Sequence, residues 1–216
     1  VLFVTQWLLA ACGPGDGAAG DEKATAEGSA AVPTAASPAP SPAATAGDSI
    51  FYPAGASSGV ESVDVVITAV TSGDVDTLVD LAKFTLVPCG DPPLGSGQLV
   101  CDDGRTPGTR VEVFPSARCQ PFFLFSPSEL RDALEEAFGL GSLSLYAVYT
   151  LDGAGGISTE TAYAANFGRA PDDSKAPTFE IGPEGELLGV QLGCGLPGAN
   201  VPEGAPYLMP PLAPAN

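Results

Sequence analysis

The chain has 216 residues and a formal net charge of −18, with 26 acidic side chains, eight basic ones and no histidine. That length allows one ordinary domain plus tails. The basic residues Lys23, Lys83, Arg105, Arg110, Arg118, Arg131, Arg169 and Lys175 are scattered along the sequence. Scatter argues against nucleic-acid binding, which needs clustered Lys and Arg on phosphates, and against electrostatic attraction to anionic headgroups. Without histidine, Ser–His–Asp and Cys–His nucleophilic sites and His-ligated metals are excluded. The excess acid reads as a solvated, self-repelling surface.

The chain opens with an uncharged apolar run from Val1 to Ala11. It is too short to cross a bilayer, which takes about 20 apolar residues, but it fits a signal h-region with a small-residue exit. Gly13-Pro14-Gly15-Asp16-Gly17 follows and continues neither a helix nor a strand. The residues Leu9-Ala10-Ala11-Cys12 at the end of the run resemble a bacterial lipobox. That resemblance implies cleavage before Cys12 and a thioether-linked diacylglyceryl group on its sulfur. The membrane is then a partner through N-terminal acyl chains, each buried CH₂ contributing about 0.8 kcal/mol. No Met, Lys or Arg precedes the run, so the basic n-region of such a signal is missing from residues 1–11. An ordinary cleaved secretory signal is the competing reading.

After Cys12, residues 13–48 are rich in Ala, Gly, Pro, Ser and Thr, with runs such as Ser37-Pro38-Ala39-Pro40-Ser41-Pro42. They lack the apolar bulk to offset ordering entropy. As a coil such a tether spans roughly 30–35 Å, enough to lift a domain clear of the headgroups.

A globular domain is expected over residues 49–195. Val60, Val63, Ile67 and Val70 recur at helical spacing up to Ser72-Gly73, and Asp74 suits the N-cap of a second short helix carrying Leu78 and Leu81. Phe84–Val87 and the alternating Arg110–Phe114 read as strands. Phe122-Phe123-Leu124-Phe125 is the densest aromatic cluster, read as core packing or a sheet edge before a pocket lip or partner patch. Ser126-Pro127-Ser128-Glu129 is a capping box with Pro at the first helical position, opening a helix through Leu130, Leu134 and Phe138 to Gly139. Four strand candidates follow, Ser142–Leu151, Thr159–Phe167, Pro177–Ile181 and Glu186–Gly193, joined by turn-forming segments. Residues 196–216 form a Pro-rich tail expected to wrap loosely or fray.

Five cysteines are an odd number, and assigning Cys12 to lipidation leaves Cys89, Cys101, Cys119 and Cys194. An even remainder reads as two disulfides in an oxidising, extracytoplasmic compartment. Three connectivities are open. Cys89–Cys101, closing a Gly/Pro-rich excursion, with Cys119–Cys194, tying mid-domain to the last strand, is the favoured one. A zinc site lacks the close cysteine pairs such sites use.

The element order predicts an α+β fold: N-terminal helices plus a curved antiparallel sheet of four to six strands around a helix. It resembles the NTF2-like cone in topology over most of Val60–Cys194, with a cystatin-like layer as the alternative. Strand alternation then puts Leu143, Leu145, Ala147, Tyr149 and Leu151, with Thr159, Thr161, Tyr163, Ala165 and Phe167, on the inner face. Phe179, Ile181, Leu188, Val190 and Leu192 join them, and Glu160, Asn166, Glu180 and Gln191 fall on the solvent side. Tyr149, Tyr163, Phe167 and Phe179 become the candidate pocket lining, with no strand carboxylate among them.

Neither catalytic nor metal-ligating residues emerge, and no cofactor is expected. Asp74, Asp76 and Asp80 are explained by a cap and an exposed helix face. Asp102-Asp103-Gly104 lacks the spacing of a calcium loop, and Glu135-Glu136 diverge on a helix. The expectation is a lipid-anchored, non-catalytic module of the bacterial cell envelope, binding a small apolar ligand or an envelope protein and no nucleic acid. An envelope enzyme using carboxylate and Tyr chemistry is the alternative class, and a structural surface protein is the third.

Overall fold

The computed structural model describes residues 49–91, 97–102, 104–151, 156–199 and 201–212. Cys12, the lipobox and the tether lie outside them. Helix α1 spans Glu61–Ser72 and buries Val63, Val66, Ile67 and Val70. Gly73 stops it in the left-handed region at φ 71°, where glycine carries no Cβ penalty. Helix α2, Val75–Asp80, starts at Asp74, whose carboxylate accepts the Thr77 N–H. Helix α3, Pro127–Phe138, starts at Ser126, whose hydroxyl oxygen accepts the Glu129 N–H, while the Glu129 carboxylate accepts the Phe125 N–H at 2.7 Å.

The strands are β1 Thr85–Pro88, β2 Arg110–Ala117, β3 Pro121–Leu124, β4 Ser144–Thr150, β5 Tyr163–Gly168, β6 Thr178–Ile181, β7 Leu187–Gln191 and β8 Tyr207–Met209. They form one mixed sheet in the order β1-β2-β7-β6-β5-β4-β8, with β3 attached to β2. Strands β4 to β7 are an antiparallel meander, and β7 joins β2 in a parallel pair at Ser116↔Val190 and Ala117↔Gln191. Among the described residues no helix is long and apolar enough to cross a membrane.

This sheet overturns the NTF2-like α+β expectation. The described residues are mostly β, one large eight-stranded mixed sheet with three short helices among them. Part of the excess strand comes from segments outside the expected strands. Phe122–Leu124 of the aromatic cluster, read as core packing or a sheet edge, lie in β3, antiparallel to the second half of β2. The Pro-rich C-terminal stretch supplies β8, which pairs with β4 and buries Met209. Pro cannot donate to a ladder, yet Pro206, Pro210 and Pro211 flank β8 rather than interrupt it.

The main core fills the space between one sheet face and the helices. Leu78, Leu130 and Leu134 pack there with Leu145, Val148, Phe167, Phe179, Ile181 and Val190. Its membership corrects the expected strand faces. One extra residue in β4 between Leu145 and Ala147, and another in β7 between Leu187 and Gly189, shift the register. Each bulge swaps the face of everything beyond it. Val148 and Leu187 therefore join the core, and Tyr149 turns to the opposite face, in register with Ala164.

That opposite face is not open to solvent either. Asn166 and Glu180 are each 1% exposed, against the solvent-side placement expected from alternation. Residues 156–161 fold over part of it, and the C-terminal segment is fastened beside them. The Asn166 side-chain oxygen accepts the Gly198 N–H at 2.9 Å, and the Thr150 N–H donates to the Pro206 carbonyl at 2.8 Å.

Both disulfides are formed, Cys89–Cys101 and Cys119–Cys194. The first closes a small satellite core of Cys89, Leu99 and Val113. Such a pair belongs to an oxidising, extracytoplasmic environment.

Candidate functional site

The register places Tyr149, Ala164, Glu180 and Gly189 in one row across β4, β5, β6 and β7. Glu180 sits at its centre between two residues with almost no side chain. Its carboxylate accepts the Ile157 N–H at 2.7 Å, the Thr161 hydroxyl at 3.0 Å and the Gln191 amide at 3.0 Å, with a longer contact from the Ser158 N–H at 3.4 Å. Among the described residues it makes no ion pair. A buried carboxylate without a cation is tolerable only when its acceptor sites are filled. Here neutral donors fill them, and most come from residues 157–161.

Glu180 is thus the fastening of that segment. At Gly156 a Cβ would stand 2.8 Å from the Glu180 carboxylate and 2.9 Å from the Thr161 hydroxyl, so a side chain there would push directly on the fastening. Gly189 leaves room for Ile157, whose side chain would be in ordinary contact with a Cβ there at 3.5 Å.

The fastened segment forms one wall of an open cleft of about 600 Å³. Ile157, Ser158 and Thr159 face Pro121, Phe122 and Phe123 of β3 across it. Thr85 and Val87 of β1 close one end, and Ala117 and Gln191 contribute where β2 meets β7. Among the described residues no ionisable side chain lines the cleft. Its volume is that of a small-molecule site, with apolar walls and a few fixed polar groups. Gln191 connects cleft and fastening, since its side chain reaches both the cleft and the Glu180 carboxylate.

Tyr149, Tyr163, Phe167 and Phe179 do not line this cleft and do not share a pocket. Phe167 and Phe179 meet edge to face, 5.5 Å apart, inside the helix-side core. Tyr163 is half-buried against the same core, and Tyr149 is on the other face, 2% exposed. Burial first, then the Glu180 charge and Tyr207, push the Tyr149 hydroxyl well above the ordinary phenol range. It stays a protonated phenol and cannot serve as a base near neutral pH. No group of three or more His, Cys, Asp or Glu side chains that could hold a metal occurs among the described residues.

Phe122 and Phe123 belong to the cluster for which the sequence offers a pocket lip as the second reading, whereas Ile157 and Ser158 come from a non-periodic turn that gives no such hint. One signal was available. Besides the single charge of Glu180, the polar residues on the second face are Asn166, Thr178 and Gln191, with small Ala164 and Gly189 between them. A solvated face of so acidic a chain would carry several charges, whereas amides, hydroxyls and small residues mark a covered one.

Comparison with protein-family models, with curated proteins and with solved structures finds no match to this chain.

Proposed function

We propose that the protein is a non-catalytic binding module of the bacterial cell envelope, held to its membrane by acyl chains on Cys12. Its ligand is a small apolar or weakly polar molecule, or an apolar side chain of an envelope protein, seated in the cleft between residues 156–159 and β3. The observation that carries this is the lining, apolar and neutral polar among the described residues, on a wall that a buried carboxylate holds in place. Catalysis by carboxylate and Tyr chemistry would require Glu180 and Tyr149 to meet a substrate, and both are sealed at 1% and 2% exposure. The two disulfides and the tether-like composition of residues 12–48 support display outside the cytoplasm.

A neutral apolar fluorophore tests the cleft. Adding N-phenyl-1-naphthylamine to the full chain is expected to give saturable, blue-shifted emission. Ile157→Asp places an unpartnered charge in the wall and should weaken that binding by about tenfold or more. Val65→Asp, on the exposed side of α1, should leave it unchanged. Equal binding by wild type and Ile157→Asp, or no saturable emission at all, would rule the cleft out as the ligand site.

A further inference from the structure

A second cavity, of about 90 Å³, lies on the helix side of the sheet against α3. Arg118 after β2, Arg169 after β5 and Lys175 before β6 all line it. Three of the eight basic residues of a chain carrying −18 thus converge, although the sequence shows them scattered. The convergence is built by close backbone approach and covalent linkage. A Cβ on Gly193 would lie 2.5 Å from the Lys175 backbone, so only glycine lets the two segments touch. The Cys119–Cys194 bridge then ties Arg118, one residue before Cys119, to Gly193, one residue before Cys194.

The charge balance of the cavity is specific. Arg118 pairs with Glu136 at 2.6 Å and Arg169 with Asp173 at 2.8 Å. Lys175 makes no ion pair among the described residues. Three cations less two paired carboxylates leave one uncompensated positive charge. Arg169 is only 15% exposed, and its terminal nitrogens are committed to Asp173, the Lys175 carbonyl and the Ala137 carbonyl at the end of α3. Its Nε–H is buried with no partner, a costly state for a donor on a charged group. The remaining wall is apolar, from Ala137, Leu140, Pro177 and Leu192.

We infer that this cavity binds a small monocarboxylate carrying a short aliphatic group. The carboxylate answers the Lys175 ammonium, the one cation of the three without an ion pair among the described residues, and the aliphatic part lies along Leu140 and Leu192. One uncompensated positive charge matches one negative charge. A dianion such as phosphate would bring a second charge into the field of a strongly acidic protein. The volume admits a headgroup with a few carbons and no more. This site is on the opposite side of the sheet from the cleft and stands independently of it.

Amide chemical shifts of the ¹⁵N-labelled full chain, titrated separately with sodium butyrate, acetate and phosphate at constant ionic strength, test the assignment. Butyrate is expected to shift Ala137, Lys175 and Gly193 saturably in the millimolar range. Acetate, two CH₂ groups shorter, should bind about tenfold more weakly. Lys175→Gln, a change at an exposed side chain, should weaken butyrate by about tenfold while the rest of the spectrum stays unchanged. Butyrate shifts that never saturate, that persist undiminished in Lys175→Gln, or that phosphate reproduces more tightly would each overturn it.

Discussion

Replacing Cys119 and Cys194 together by alanine is expected to lower the unfolding free energy by about 4 kcal/mol. The bridge joins residues 75 apart in sequence. In the chain-entropy view, closing so long a loop removes more freedom from the unfolded chain than closing a short one. Both half-cystines are exposed, so their removal opens no cavity and the loss reports the cross-link itself. The matched change at Cys89 and Cys101 closes only a 12-residue separation, and its loop contribution is smaller, about 3 kcal/mol. Cys89 is buried at 3% exposure, which adds a packing loss to that figure. Urea unfolding of the two double variants measures both. The long-loop variant should also lose butyrate binding, because the bridge holds Arg118 beside Gly193. A loss below about 1 kcal/mol for Cys119→Ala/Cys194→Ala would show that the unfolded chain is already compact around that pair.

Glu180→Ala is expected to cost about 3 kcal/mol. The substitution strands the Ile157 N–H, the Thr161 hydroxyl and the Gln191 amide, each of which now donates to the carboxylate. Glu180→Gln keeps the shape but turns an NH₂ group toward donors, so it should also destabilise, by about 2 kcal/mol. The more telling result lies in the cleft. Residues 156–159 form its wall and depend on this one side chain, so N-phenyl-1-naphthylamine binding should fall in both variants at temperatures where they remain folded. Hydrogen exchange at Ile157 and Ser158 should rise above that of the β4–β5 ladder, since local opening no longer breaks a bond to Glu180. Unchanged exchange at Ile157 would mean that the segment is held by its packing on Gly189 instead.

The helices were legible because their signals are local. The apolar spacing of α1, the Asp74 cap of α2 and the capping box of α3 each act within a turn or two, and each appears where those residues stand. The β4–β7 meander was legible for a similar reason, since its turns are rich in Gly, Asp and Pro. What failed was everything set by partners distant in sequence. Nothing at Tyr146 or Leu188 announces the bulge that reverses a strand face, because the extra residue is defined by its neighbour's register. β3 and β8 became strands because β2 and β4 offered free edges to them.

The candidate site divides along the same line. That the chain lacks a histidine base can be read directly. That Tyr149, Tyr163, Phe167 and Phe179 would share a pocket could not, because alternation without the bulge puts Tyr149 on the wrong face. Alternation puts Glu180 on the solvent side, and no local signal in the sequence shows that residues 156–161 fold across it. The convergence of Arg118, Arg169 and Lys175 depends on the strand order β2-β7-β6-β5 and on a disulfide, neither of which leaves a mark at those three positions.

Display of the domain from a membrane by Cys12 is the claim on which the proposed role most depends. Mass spectrometry of the N-terminal peptide from protein extracted from the membrane fraction addresses it directly. The expected result is a peptide beginning at Cys12 and carrying a diacylglyceryl group. An unmodified Cys12, or a soluble protein beginning at another residue, would contradict the anchor.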